Sequence, residues 1–202
     1  MSPVIAAVVA LALLELFGLL GFAWRAWLQR RRTGSTGFRG ISGRLGSAEW
    51  VAGLGFVIAL VVAVVGPVLQ LSGVITPVSV LHAEWIQVAG IALAGLGIVL
   101  TVWAQLDMGE SWRVGVDASE TTALVQTRVF GWVRNPIYTA MLGMSLGTTI
   151  VSGQYHSLLG LLIVAIAYWR KIRIEEAALG EAFGAEYDEY RRKSWALIPV
   201  IF

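Results

Sequence analysis

The chain has 202 residues, of which 57% are hydrophobic and only 14% charged, and its mean hydropathy is +0.73. A soluble domain carries roughly 25% charge, so a soluble one- or two-domain protein is excluded, and a net charge of +2 is too small to argue for nucleic acid. The absence of cysteine removes disulfides, thiolate metal sites and a cysteine nucleophile.

Long apolar runs fill the chain. A spanning helix needs about 20 mainly apolar residues, and residues 3–27, 50–71 and 85–106 each supply one. Two shorter runs follow, 136–151 and 158–169. They read as a tightly joined, partly tilted helical hairpin, with the second member continuing past the membrane to Phe183. The expectation is an all-α, polytopic membrane helix bundle of about five transmembrane helices with a cytoplasmic C-terminal helical region. Residues 1–105 form the first three helices; residues 106–202 hold a loop, the hairpin and the C-terminal helix.

The fifteen Lys and Arg residues all fall after the first, third and fifth apolar runs, from Arg25 through Arg134 to Lys193. The loops 72–84 and 152–157 have none. The positive-inside rule then puts the basic loops in the cytoplasm and the N-terminus outside. The first apolar run has its positive charge after it rather than before it, unlike a cleaved signal peptide. Both histidines, His82 and His156, fall at the non-cytoplasmic ends and read as interfacial residues without chemistry.

Other features have structural readings. Gly90, Ala94 and Gly97, and Gly143 with Gly147, have the small-residue spacing of closely packed membrane helices. Gly66-Pro67 is a potential kink in the second span. Trp24, Trp27, Trp50, Trp85 and Trp169 mark interfaces. Glu15 lies inside the first span, as either a functional acid or one bonded to a neighbouring helix.

Polar residues capable of chemistry crowd into two stretches, 106–138 and 170–190, one on each side of the hairpin. Folding the hairpin brings Arg134 close to Arg173 and Glu175, so one pocket is built from both stretches at the membrane surface.

Arg134-Asn135-Pro136-Ile137-Tyr138 resembles the Arg-His-Pro-x-Tyr motif of the isoprenylcysteine carboxyl methyltransferase family. Leu124-Val125 followed by Trp132-Val133-Arg134, the pair Glu175-Glu176, then Phe183-Gly184-Ala185-Glu186-Tyr187 with Tyr190, and Ile198-Pro199 resemble further pieces of that family in the same order. Ser111-Trp112 is similar to its Asn-Trp. The likeness covers about residues 106–202. The motif histidine is Asn135 here, the following glycine is Ala140, and the usual Gly-Pro-Tyr reads Arg128-Val129-Phe130. Asparagine hydrogen-bonds as neutral histidine does but cannot carry charge.

The resemblance implies an S-adenosylmethionine (SAM)-dependent methyltransferase with Arg134 and Glu176 nearest catalysis. It implies Leu124, Val125, Thr127, Asn135, Tyr138, Glu175 and Tyr187 as cofactor contacts. It also implies a lipophilic small-molecule or lipid acceptor entering from the bilayer, foremost the carboxylate of a prenylated or other lipophilic molecule, with membrane lipids as partners. A glutamate accepts from the cofactor's diol or ammonium, and an arginine grips a carboxylate through paired hydrogen bonds. A phospholipid amine is the alternative acceptor and would need a base such as Glu176. Two readings from other classes are a non-catalytic scaffold or transport protein, and an NADPH-dependent membrane reductase using Arg170, Lys171 and Arg173.

Overall fold

In the computed structural model the described residues are 1–37, 41, 43–112 and 123–199. Expectations for Arg39 and Arg113, and for the middle of the first polar stretch, fall outside them. The described chain is mainly helical, and its only strand-like feature is a single bridge between Val133 and Trp195.

The first helix is continuous over Pro3–Thr33 but changes character along its length. It comprises α1 (Pro3–Phe17), a π-helical turn (Gly18–Trp24) and α2 (Arg25–Thr33). Ser2 caps it, accepting from the Ile5 amide at 3.3 Å, and Pro3 sits in the first turn, where its missing N–H costs nothing. After it come α3 (Ala48–Leu71), α4 (Glu84–Asp107), α5 (Pro136–Ser152), α6 (Tyr155–Phe183) and α7 (Ala185–Lys193). Pro67 lies inside α3 without ending it. The hairpin turn is Gly153-Gln154, with Gly153 at φ 62°, and α6 runs to Phe183 as the apolar pattern predicts.

Three helices are long and apolar enough to cross a membrane: Pro3–Thr33, Ala48–Leu71 and Glu84–Asp107. The protein is an integral membrane helix bundle. At 1.5 Å per residue the 17-residue α5 reaches about 25 Å, less than the ~30 Å hydrocarbon core. The hairpin therefore relies on neighbouring helices for its place.

Those neighbours are specific. α5 runs antiparallel along α4, and α6 antiparallel along α3. A Cβ on Gly97 would lie 2.5 Å from the Met144 amide nitrogen and 2.7 Å from the Ala140 carbonyl oxygen. Gly147 meets the backbone of Ala94 and Gly90 in the same way. The small-residue spacing is thus a backbone-to-backbone seam, except at Gly143, whose nearest neighbour is the Leu93 side chain at 3.8 Å. In lipid such seams hold by close contact and not by hydrophobic burial.

The core joins all these helices through Phe17, Ala59, Ile98, Met144, Val164 and Tyr168. An aromatic ladder crosses it from Phe17 to Phe22 (5.4 Å between ring centres), Phe56 (6.0 Å), Tyr168 (5.9 Å) and Tyr138 (5.3 Å). The first two spans, which carry no motif, supply three of these rings.

Two sequence expectations change. Glu15 is exposed on the outer flank of α1, while Leu14 and Phe17 turn to the core; it bonds no neighbouring helix among the described residues. Arg25, read with the basic residues of the first cytoplasmic loop, is fully buried. It donates to Gln29 Oε1 (2.9 Å) and to the carbonyls of Gly109 (2.5 Å) and Gln105 (3.4 Å), and lies 4.6 Å above the Trp112 ring. The π-helical turn before it shifts the helix phase and swings it inward, where it neutralises the carbonyl end of α4.

The histidines lie at the end of the bundle away from Arg134. His82 Nδ1 is 2.9 Å from Gln87 Nε2, and His156 packs against Gly66 of α3.

The α4–α5 seam makes a clear prediction. Gly97→Val should lower detergent-solubilised stability by ~1–3 kcal/mol through overpacking. Gly95→Ala, on the same helix with open space around it, should be neutral or stabilising by up to ~1 kcal/mol. Thermal unfolding of the two variants checks this, and equal melting temperatures would refute the seam.

Candidate active site

The site sits where the hairpin returns to its starting end. Pro136 opens α5 at its first helical position, which pushes Asn135 out of helical conformation and presents Arg134 and Asn135 beside α6. Glu175 and Glu176 lie on α6 beyond its apolar part. Arg134 Nε donates to Glu176 Oε1 at 3.0 Å, and Asn135 Nδ2 donates to the same oxygen at 2.9 Å. One helical turn on, the Tyr138 hydroxyl donates to Glu175 Oε1 at 2.9 Å. Both glutamates of the pair are therefore engaged by the Arg-x-Pro-x-Tyr segment.

The Arg134–Glu176 pair is no surface ion pair: the two side chains are 10% and 16% exposed. Arg134 Nη1 is also bonded, to the carbonyls of Arg191 (3.1 Å) and Ser194. Glu176 Oε2 has no donor among the described residues.

A feature the sequence did not disclose holds this cluster closed. After α7 the chain crosses back over the start of α5. The Arg134 amide donates to the Trp195 carbonyl (2.8 Å), the Trp195 amide to the Trp132 carbonyl (2.9 Å), and the Asn135 amide to the Ala196 carbonyl (3.2 Å). Asn135 Nδ2 reaches the Ala196 carbonyl (3.0 Å), and Thr139 Oγ1 the Leu197 carbonyl (2.7 Å). The only sequence signal was the apolar run Trp195–Ile198 after a charged helix, ahead of Pro199. Asn135 uses its amide toward both a carboxylate and a carbonyl.

The two α7 tyrosines differ. Tyr190 donates to the Phe130 carbonyl at 2.7 Å, tying α7 to the segment before the motif. Among the described residues the Tyr187 hydroxyl is buried with no hydrogen bond of normal geometry, and the Arg134 guanidinium lies beside it. Burial, and then the Glu176 carboxylate, push its phenol up to about 12. Burial likewise raises the Tyr190 phenol. A buried hydroxyl without a partner costs stability and suits a ligand contact.

Leu124, Val125 and Thr127 lie in the extended segment before the turn Arg128–Gly131. No printed contact joins their side chains to Glu175 or Tyr138; the segment is held against α7 by Gln126 Nε2 donating to Glu186 Oε1 (2.8 Å). Arg128 has φ 55°, the left-handed region that favours glycine. It pairs with Asp107 at the end of α4 (2.8 Å). The departure from Gly-Pro-Tyr thus falls at a position whose backbone still suits glycine.

Comparison with known proteins agrees with this geometry. The phospholipid methyltransferase family model matches residues 85–186, which takes in most of α4, the first polar stretch and the second as far as residue 186. Protein-S-isoprenylcysteine O-methyltransferase of Xenopus laevis is 31% identical over 123 residues, covering 58% of this chain and 42% of that protein. The Schizosaccharomyces pombe protein of the same name is 30% identical over 121 residues, 57% and 50% of the two chains. The chain thus spans half or less of the length of these curated relatives. A solved eukaryotic intramembrane Ras methyltransferase, isoprenylcysteine carboxyl methyltransferase, superposes with a TM-score of 0.68 at 22% identity, over 100% of this chain and 69% of that one, which shows a shared fold. With the family match spanning half the chain and taking in the Arg134–Tyr138 and Glu175-Glu176 segments, this protein belongs to the phospholipid methyltransferase family.

Proposed function

We propose that the protein is a membrane-embedded SAM-dependent methyltransferase acting on a lipophilic acceptor, foremost a carboxylate. The observation that carries this is the convergence of Arg134, Asn135 and Tyr138 on Glu175 and Glu176 at one end of the bundle. The relatives are named for O-methylation of an isoprenylcysteine.

The residues present fit the cofactor. A carboxylate pair meets its cationic and hydroxyl groups, and the buried Tyr187 hydroxyl offers an unused hydrogen bond. In this reading Tyr138 orients Glu175 toward the cofactor, with Leu124, Val125, Thr127 and Tyr187 around it. Arg134 and Asn135 fix Glu176, leaving Oε2 to face the reaction. Residues 106–202 carry the chemistry and residues 1–105 the scaffold. When bound, SAM supplies an activated methyl group, and a carboxylate acceptor needs no proton removed. A water-poor site favours such a charge-neutralising transfer.

The second reading, transfer to a phospholipid amine, is favoured by the matched family's description. It would use Glu176 Oε2 as base. An NADPH reductase is less well served, because Lys171 of its three cations already lies 4.0 Å from Glu49.

Three outcomes test this reading. Purified protein should bind SAM by calorimetry and gain thermal stability from it. Glu175→Gln should weaken binding by about 1.5–3 kcal/mol, the worth of a hydrogen bond to a charged group. No heat of binding at saturating SAM, with the protein folded, would end the methyltransferase proposal.

Arg134→Lys separates the acceptors. It keeps the charge but loses the planar fork. For a carboxylate acceptor, turnover should fall by on the order of a hundredfold while SAM affinity holds. The rate should also stay nearly flat from about pH 6 to 8, because a carboxylic acid with pKa near 4 is already ionised. For an amine, turnover should rise with pH, and SAM affinity should fall together with turnover in the variant.

The basic loops set the orientation we propose, with the Arg134 end cytoplasmic and the N-terminus outside. In intact cells an impermeant thiol reagent should label Ser79→Cys and spare Ser35→Cys, both at exposed positions. The reverse pattern would invert the topology.

A further inference from the structure

Asp107 is the last residue of α4, and its side chain is only 2% exposed. A carboxylate is poorly placed there, because the carbonyl end of a helix already carries partial negative charge. Arg25 steadies this helix end by taking the carbonyls of Gln105 and Gly109, which flank Asp107 in the chain. The carboxylate itself is met by another cation. Arg128 Nη1 donates to its Oδ1 at 2.8 Å, while Oδ2 is buried without a hydrogen-bond partner among the described residues. An acid held this far from water needs a counter-ion, and among the described residues Asp107 pairs with Arg128 alone.

Arg128 is unusual in its own right. Among the described residues it is the one non-glycine with a positive φ, 55°. Thr127 before it is extended (φ −104°, ψ 165°), and the turn Arg128–Gly131 follows. The chain therefore bends at Arg128, and a residue with a Cβ takes up that bend only at a conformational cost. Such a conformation persists when the surroundings over-determine it. Two bonds to α7 flank the bend, Gln126 Nε2 to Glu186 Oε1 at 2.8 Å and the Tyr190 hydroxyl to the Phe130 carbonyl at 2.7 Å. The bond to Asp107 grips the bend residue itself.

We propose that the Asp107–Arg128 pair is a positioning clasp for the cofactor segment. By holding Arg128 in the left-handed conformation it fixes how residues 124–127 run relative to Arg134. The proposal rests on the reading of Leu124, Val125 and Thr127 as cofactor contacts, and deepens it. Neither clasp residue touches the cofactor in this account. They act through the backbone, on one side into residues 124–127 and on the other through Trp132 into Arg134.

Glycine gives the test its logic. Without a Cβ it adopts a positive φ freely and needs no clasp. Alanine at the same place needs the clasp and cannot form it.

The test uses the whole protein in lipid nanodiscs, with SAM affinity measured by calorimetry on material shown to be folded by thermal melting. Arg128→Ala and Asp107→Ala should each weaken SAM binding by about tenfold. Arg128→Gly combined with Asp107→Ala should bind within about twofold of wild type, because the bend no longer needs its ion pair and no buried charge is left unpaired. A pair that only stabilised the fold would shift the melting temperature and leave the affinity of folded protein unchanged. Wild-type affinity in Asp107→Ala, or a loss that persists in the double variant, would overturn the proposal. If Asp107→Ala does not fold, Asp107→Asn replaces it, alone and in the double variant. If wild type binds no SAM, the methyltransferase reading fails separately. Hydrogen exchange then judges the clasp through the amides of Phe130, Trp132 and Val133, which bond within the turn. They must exchange about tenfold faster in Asp107→Ala and recover in the double variant.

Discussion

Between α4 and α5 there is no room for a side chain at Gly97 or Gly147, and backbone meets backbone along the seam. That contact holds α5, too short to be placed by the bilayer alone, at a definite height. The tight Gly153-Gln154 turn then returns α6 along α3 in a matching register, with Gly160 against Val62 and Gly55 against Ala167. Register is what pairs the chemistry. Tyr138 meets Glu175 and Arg134 meets Glu176 because α5 and α6 are each held at a fixed height by a neighbouring helix. A slip of one helical turn at the seam would separate both pairs.

The Arg134–Glu176 contact is partly withdrawn from water, so its ions bear a desolvation cost that two bonds alone do not repay. The fold compensates with further hydrogen bonds. Asn135 adds a second donor to the same carboxylate oxygen, and the carbonyls of Arg191 and Ser194 take up Arg134 Nη1. The returning segment after α7 supplies those carbonyls and pins the motif backbone through Trp195 and Ala196. Among the described residues the arrangement leaves Glu176 Oε2 without a donor while its partner oxygen is doubly held. That asymmetry is how a carboxylate can be both rigid and available.

The first helix matters more than its uniform hydrophobicity suggests. Its π-helical turn places Phe17 and Phe22 at the head of the aromatic ladder and turns Arg25 onto the end of α4. Arg25 thus anchors Gly109 and Trp112, where the first polar stretch begins. A span that contributes no motif still braces the loop leading to the site.

Much of the molecule was legible in its residues. Apolar runs, glycine spacing and Arg/Lys placement follow from the cost of burying peptide groups and charge in lipid. They marked the helices, the hairpin and its extension to Phe183, and the motifs marked Arg134, Tyr138, Glu175 and Glu176 before any contact was known. These are local or periodic properties, which a linear chain displays directly. What only the tertiary structure decided depends on helix phase and on backbone partners. Arg25 faces inward beyond a π-helical turn that resets the helix phase, while Glu15 faces outward ahead of it, and composition announces neither. The Trp195–Leu197 crossing runs through main-chain groups that every sequence carries, so no residue type announces it. The buried hydrogen bond that ties the hairpin turn to α3 joins Gln154 and Gln70, 84 residues apart in the chain.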